Sequence, residues 1–184
     1  MAKTRTFGHV EGLPAHSFSL EGDGSISLRL TDYGARLVSL WVPGRDGQAA
    51  DIVLGFDSAD AYAASPTYFG ATVGRYGNRI ARGQFCIQGR AYEVDCNEGR
   101  NHLHGGRAGW DHRVWDAEPI DAGVTFRTTS LPGEMGFPGG CDVSSTYQLR
   151  GSALSITMEA IPSETTVINM VHHSYFNLAG HGSG

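Results

Sequence analysis

Short runs of β-forming residues, separated by glycine, aspartate, asparagine and proline, recur along this chain of 184 residues. Leu28 and Leu30, for example, alternate with Ser27 and Arg29, the pattern of a strand with one buried face and one wet face. Twenty-six glycines suit many tight turns. The pattern predicts an all-β fold, a β-sandwich. The predicted strands are 16–20, 25–30, 37–42, 91–94, 124–129, 144–149 and 154–161.

Only the segment 57–64 has a helical pattern. Asp57 is a suitable N-cap, and Pro66 disfavours the α conformation at Ser65, so the helix should end there. No internal repeat and no linker marks a boundary. We therefore expect a single domain over residues 1–184.

Composition excludes several function classes. The formal net charge is −5 and no Lys/Arg cluster is present, which argues against nucleic acid as a partner. No run of 18 apolar residues occurs and the start lacks the apolar region of a signal peptide, so we expect a cytoplasmic protein without a membrane partner. Cys86, Cys96 and Cys141 form no disulfide or zinc-ribbon pattern and are expected to be reduced and mostly buried.

Residues 74–83, GRYGNRIARG, place two arginines among glycines. Glycine permits close backbone approach, and the planar forks of Arg75 and Arg79 suit oxygen-rich ligands. A surface loop with solvated arginines explains the same residues, and the spacing alone is weakly specific.

Two further segments carry histidines, whose ordinary pKa lies near working pH. In NHLHGG, His102 and His104 could share a strand face and bind a metal as in cupins, but no carboxylate follows at the cupin spacing. In VHHSYFNLAG, His172 and His173 should point to opposite faces, with Tyr175 on the face of His173. Each segment alone also suits a core strand. Together, the three glycine-flanked clusters indicate a polar cleft of carbohydrate size.

Other catalytic patterns are weaker. Asp111 and Glu134 lie in turn-rich stretches where an acidic residue is usually a solvated loop residue, and neither has a local partner at catalytic spacing. Ser174 lacks the strained glycine elbow of a serine nucleophile.

Five motifs, taken in order, resemble those of the aldose 1-epimerases, also called galactose mutarotases. They are LGFDSADAY, GRYGNRIARGQF, NHLHGG with GWDHRVW, GEMGFPGG, and VINMVHHSYFNLAG, and they extend from about Ile52 to Gly180. The resemblance implies a β-sandwich of the galactose mutarotase-like supersandwich type and no cofactor. It also implies an isomerase that interconverts the α and β anomers of free hexoses such as galactose and glucose.

The resemblance also implies roles for particular residues. Asn78 and Arg79 are similar to the substrate-binding pair, His104 to the first active-site histidine, and His173 to the general acid that protonates the ring oxygen. A non-catalytic carbohydrate-binding module of the same fold, which keeps these side chains as hydrogen-bond donors, stays open as the alternative.

The resemblance covers roughly the first half of a family member. We therefore expect the sandwich to be incomplete at its C-terminus and the general-base glutamate to lie beyond Gly184. We expect the 184 residues alone to have reduced or no activity. The preferred hexose and the oligomeric state stay open.

Overall fold

A computed structural model of the protein describes residues 2–23 and 26–183. Within these residues the chain forms two larger antiparallel sheets, three two-stranded pairs and one short α-helix, α1 (Ala59–Ala64). The strands are β1 (Lys3–Val10), β2 (Leu13–Glu21), β3 (Ser27–Thr31), β4 (Arg36–Pro43), β5 (Ala49–Asp51), β6 (Thr72–Val73), β7 (Arg79–Ile80), β8 (Gln84–Ile87), β9 (Arg90–Glu93), β10 (His102–Leu103), β11 (Asp116–Ile120), β12 (Gly123–Ser130), β13 (Cys141–Arg150), β14 (Ala153–Pro162) and β15 (Val171–His172).

The first large sheet has the order β1-β2-β3-β4-β5, with each strand beside its neighbour in sequence. The predicted alternation in β3 is confirmed, because Leu28 and Leu30 are buried whereas Ser27 and Arg29 are partly exposed. The predicted strand at 25–30 starts at Ser25, which lies outside the described residues. The sheet is open, and its apolar face needs a second layer.

That second layer is the open sheet β11-β12-β13-β14. Its buried side chains meet those of the first sheet in one core. The rings of Phe18 and Phe126 pack edge to face with centroids 5.6 Å apart, and Phe126 and Tyr147 are 5.9 Å apart. The all-β sandwich predicted from the sequence is thereby confirmed.

The helix is present, but the predicted N-cap is wrong. The helix begins two residues later, at Ala59, and Ser58 caps it by accepting a hydrogen bond from the backbone N–H of Ala61 at 3.2 Å. Asp57 is instead exposed and forms an ion pair with Arg29 at 2.8 Å. The predicted end is confirmed, since Ser65 is extended with ψ 139°. No helix of the described residues is long and apolar enough to span a membrane.

Several strands were not predicted from the sequence. β1 has polar residues at most positions, and β11 contains Pro119, which an edge strand tolerates because one side of it needs no ladder hydrogen bond. The prediction that the cysteines are mostly buried is also wrong. Cys141 is buried in β13, whereas Cys86 is exposed, because the β8-β9 hairpin is a two-stranded ribbon, and Cys96 is half-buried; all three are free.

Two of the short strand pairs position the histidine segments. β10 pairs with β7, which brings NHLHGG against the arginine segment, and β15 pairs with β6, which brings the second histidine segment against residues 70–73. The functional candidates therefore lie on irregular connections between small strand pairs, held by the two larger sheets.

Candidate active site

His104 is fixed by reciprocal hydrogen bonds with the backbone of Asn78. The N–H of His104 donates to the carbonyl of Asn78 at 3.1 Å, and the N–H of Asn78 donates to Nδ1 of the His104 ring at 3.0 Å. Because Nδ1 accepts this bond, a neutral His104 ring carries its proton on Nε2. His104 can therefore offer one N–H donor to a ligand.

The surroundings keep this ring neutral. Burial lowers the pKa of His104 to about 4, and the positive charges of His173 and Arg79 act in the same direction, while Glu98 opposes them. At neutral pH His104 is therefore an uncharged hydrogen-bond donor.

His173 lies just beyond β15 and continues the pairing with residues 70–71. Its N–H donates to the carbonyl of Ala71 at 2.9 Å, and its carbonyl accepts from the N–H of Gly70 at 3.0 Å. Nδ1 of His173 is buried and has no hydrogen-bond partner. The backbone of His173 is thus fixed on both sides, while its ring is held by packing.

His172 points to the opposite face, as the sequence predicted. Its Nδ1 is 3.3 Å from the hydroxyl of Tyr147 and its Nε2 is 2.7 Å from Oγ of Ser174. Burial lowers the pKa of His172 to about 4, and the charge of His173 adds to this effect. His172 is therefore a neutral, structural histidine between β15 and the sandwich core.

Four aromatic rings, two of them the imidazoles of His104 and His173, cluster at this point. The rings of His104 and His173 are 4.9 Å apart and nearly perpendicular, and the ring of Tyr68 is 4.5 Å from His104 and 5.6 Å from His173. Tyr175 is 5.2 Å from His173, which confirms that these two residues share a face. We call the group formed by Tyr68, His104, His173 and Tyr175 the histidine cleft.

Arg79 lies opposite Leu103 in the β7-β10 pair, one residue from His104. Its Nε donates to Oε2 of Glu98 at 2.6 Å, and its Nη2 donates to Oε1 of the same carboxylate. Nη1 makes only a 3.4 Å contact with Oδ1 of Asn78. Arg79 is about half exposed, so this Nη1 edge can bind a further acceptor.

Arg75 is neither a ligand-facing fork nor a solvated surface residue, the two interpretations that the sequence allowed for the arginine segment. It is 1% exposed, and its Nη1 donates to the carbonyls of Pro138 and Gly139, each at 2.7 Å. Its Nη2 donates to Oγ of Ser130 at 2.7 Å. Arg75 therefore fixes the loop before β13 and is not available to a ligand.

The cupin-like metal pair is not supported, because both ring nitrogens of His102 are already in use. Nδ1 lies 2.7 Å from the carbonyl of Asp95, and Nε2 accepts the N–H of Gly105 at 3.1 Å. His102 is fully buried, and burial lowers its pKa. Within residues 2–23 and 26–183, no group of three potential metal ligands comes together.

The view of Asp111 and Glu134 as solvated loop acids is wrong for Asp111. Asp111 is 1% exposed, whereas Glu134 is half-buried and binds Ser130 and Arg113. Burial raises the pKa of Asp111.

Two features of the site were not predicted from the sequence. Tyr68 contacts the two histidines, and Glu98 contacts Arg79, because separate strand pairs converge. The local sequence signals for these residues were weak: an aromatic residue between Pro66 and Gly70, and an acidic residue in a turn.

Two open grooves lie elsewhere in the described part of the chain. A groove of about 780 Å³ runs along β3 and β4 beside Arg29 and Trp41, and another of about 800 Å³ lies beside α1 and His112. The histidine cleft is distinguished by its chemistry, with hydrogen-bond donors among aromatic rings, rather than by its volume.

Comparison with known proteins assigns this arrangement to a family. The sequence profile of aldose 1-epimerase matches residues 16–184. Galactose mutarotase from Mus musculus is 43% identical over 183 residues, which cover 98% of this chain and 53% of that protein.

Solved structures agree. Galactose 1-epimerase from Lactobacillus acidophilus aligns with a TM-score of 0.84 and 27% identity, over 97% of this chain and 53% of that one. An aldose epimerase homologue from C. elegans aligns with a TM-score of 0.83 and 29% identity, over 87% and 50% of the two chains.

The fold and the site thus define an open β-sandwich with a cleft of histidines and tyrosines. By sequence, the chain belongs to the aldose 1-epimerase family, a family of isomerases. It spans about half the length of the curated relatives that it matches.

Proposed function

We propose that this protein interconverts the α and β anomers of a free hexose such as galactose or glucose. The observation that carries the proposal is the pair of histidine rings with centroids 4.9 Å apart, with Tyr68 beside both rings, Tyr175 beside His173, and Arg79 paired with the residue before His104. Aromatic faces suit the apolar face of a sugar ring, and imidazole N–H groups suit its oxygens. The names of the curated relatives, galactose mutarotase and aldose 1-epimerase, support the same reaction class.

The roles are those that the family resemblance implies, and the hydrogen bonds of the site are compatible with them. His173 acts as the general acid and gives a proton to the ring oxygen as the C1–O5 bond breaks. His104, whose Nδ1 is occupied by the N–H of Asn78, donates from Nε2 to a neighbouring sugar oxygen. Asn78 and Arg79 bind hydroxyl groups, Arg79 through Nη1, which makes only a long 3.4 Å hydrogen bond to Oδ1 of Asn78.

Ring opening also needs a base. That base takes the proton of the anomeric hydroxyl, so that the C1 carbonyl forms while the ring oxygen becomes a hydroxyl. Rotation about C1–C2 and reversal of the two proton transfers give the other anomer. The family resemblance places the base, a glutamate, in the C-terminal part of family members.

The proposal also covers the cofactor, the partners, the number of domains and the location of the protein. We expect no cofactor, no nucleic-acid partner and no membrane partner, and a single domain over residues 1–184. A cytoplasmic location is supported by the three cysteines, none of which forms a disulfide.

The test is polarimetry with freshly dissolved α-galactose and α-glucose, together with a calorimetric binding measurement. We expect anomerisation only modestly faster than in buffer, because the glutamate base that the resemblance implies is not among these residues, and a return to the buffer rate in His173→Asn, because the general acid is then removed as well. His9→Asn is the matched control, since His9 is exposed on β1 and away from the cleft.

The outcomes separate the two functions. Sugar binding without acceleration would support the non-catalytic carbohydrate-binding module, with Arg79, His104 and His173 as donors. Acceleration that survives in His173→Asn would contradict the role of His173.

A further inference from the structure

Glu98 binds Arg79 at two points, yet the proposed reaction gives this carboxylate no part. Its Oε2 accepts from Nε of Arg79 at 2.6 Å, and its Oε1 accepts from Nη2 of the same guanidinium. A contact through two parallel hydrogen bonds fixes the plane of the guanidinium as well as its position. The ion pair therefore restricts where the remaining nitrogen of the arginine, Nη1, can point.

The turn that carries Glu98 is itself held in place. The backbones of Glu98 and Asn101 exchange two hydrogen bonds, of 3.1 and 2.9 Å, around a two-residue loop. The side chain of Asn97 binds the backbone of Leu103 twice, since it donates to the carbonyl at 2.9 Å and accepts from the N–H at 2.7 Å. Leu103 is also the residue opposite Arg79 in the β7-β10 pair. The carboxylate and the arginine are therefore held by one hydrogen-bonded unit.

A short series of hydrogen bonds joins this ion pair to the histidine cleft. Nη1 of Arg79, which Glu98 does not bind, donates to Oδ1 of Asn78 at 3.4 Å. The backbone N–H of Asn78 donates to Nδ1 of His104 at 3.0 Å, and its carbonyl accepts from the N–H of His104 at 3.1 Å. Nη1 therefore lies beside the residue that orients the His104 ring.

An arginine near the surface needs a partner to keep one conformation. About half of the Arg79 side chain is exposed, and a ligand that orders a long, exposed side chain loses part of its binding free energy. A guanidinium that is already oriented has less freedom to lose. The hydrogen bond from Arg79 is the main cause that lowers the pKa of Glu98, so the carboxylate is ionised at neutral pH.

We propose that Glu98 is a positioning residue for Arg79, which it binds through Nε and Nη2 so that Nη1 faces the sugar site before a sugar arrives. The inference rests on the proposed function, in which Arg79 binds a sugar hydroxyl. Glu98 itself does not contact the sugar, so its whole effect passes through Arg79.

The test is a double-mutant cycle on galactose binding, measured by calorimetry. Glu98→Ala should weaken binding about fivefold, the cost of ordering one long side chain on binding. Arg79→Met should weaken it further, and removal of Glu98 from the Arg79→Met variant should change nothing more. Glu118→Ala is the matched control, because Glu118 forms an exposed ion pair of the same kind with Arg127, at 2.6 Å in the β11-β12 pair.

Two results of this cycle would overturn the proposal. One is equal affinity of Glu98→Ala and the unaltered protein. The other is a further fivefold loss when Glu98 is removed from Arg79→Met, because Glu98 would then act on the sugar or on the turn rather than through Arg79.

A measurement without sugar examines the orientation of Arg79 directly. The side-chain Nε–H of Arg79 is observed by ¹H–¹⁵N NMR and assigned by its absence in Arg79→Met. We expect a resolved signal that is protected from exchange with water in the unaltered protein, and loss of that protection in Glu98→Ala. The same protection in both proteins would refute the positioning of Arg79 by Glu98.

Together, the two measurements keep the proposals apart. If galactose does not bind although the Arg79 signal behaves as expected, the proposed function is contradicted, and the role of Glu98 in sugar binding falls with it. If galactose binds with the same affinity in Glu98→Ala, only the role of Glu98 is contradicted.

Discussion

Acidification should destabilise this protein through His172, and the structure gives the size of the effect. Burial next to Tyr147 and Ser174 lowers the pKa of the ring from its ordinary 6.5 to about 4. The unfolded chain therefore takes up a proton before the folded one does. Stability from this group is complete above pH 6.5 and is lost as the pH falls toward 4.

The two pKa values set the loss at about 2 kcal/mol on going from neutral pH to about pH 5. That is a large part of the 5–15 kcal/mol or so by which ordinary domains are stable. Urea unfolding at about pH 7.5 and about pH 5 measures this loss in free energy of unfolding. It is carried out on the unaltered protein and on His172→Gln, which keeps a polar side chain but does not titrate. His9→Gln is the control, because it removes an exposed histidine.

We expect His172→Gln to be less stable at the higher pH and to lose about 2 kcal/mol less on acidification than the unaltered protein. His9→Gln should keep the full loss. If His172→Gln and the unaltered protein lose the same free energy of unfolding, the reasoning about the buried ring is refuted.

Two further changes test the scaffold of the site by the same urea assay. Arg75→Met should lower the free energy of unfolding by about 3 kcal/mol, because the carbonyls of Pro138 and Gly139 lose a buried donor. Arg150→Met, on the surface, should leave it nearly unchanged. Equal effects of the two substitutions would contradict the structural role of Arg75. Gly105→Ala places a Cβ 1.8 Å from the carbonyl of Gly74 at φ +94° and should cost about 2 kcal/mol or more, whereas Gly99→Ala, at φ +57° with open space around it, should cost less.

The larger strands were predictable because their residues alternate between a core and a wet face. β1 and β11 were not, since polar residues and Pro119 obscure the pattern and pairing with a neighbour strand decides their conformation. The distinction between Ser58 and Asp57 as N-cap depends on a single local hydrogen bond.

Within the site, the opposite orientations of His172 and His173 followed from the two-residue period of extended chain. Tyr68, Glu98 and Asp111 could not be placed in the same way. Their contacts depend on how the pairs β6-β15 and β7-β10 lie against the sandwich, which is a tertiary property. For the same reason the sequence could not show that Arg75 is buried while Arg79 is exposed.

The central claim is that a free hexose binds in the histidine cleft with its ring oxygen at His173. A crystal structure of the protein soaked with galactose tests it most directly. We expect Nε2 of His173 within hydrogen-bond distance of the ring oxygen, Nε2 of His104 on a neighbouring oxygen, and Arg79 on a hydroxyl. Galactose bound elsewhere, for example in the groove beside Trp41, with the cleft empty, would contradict the account.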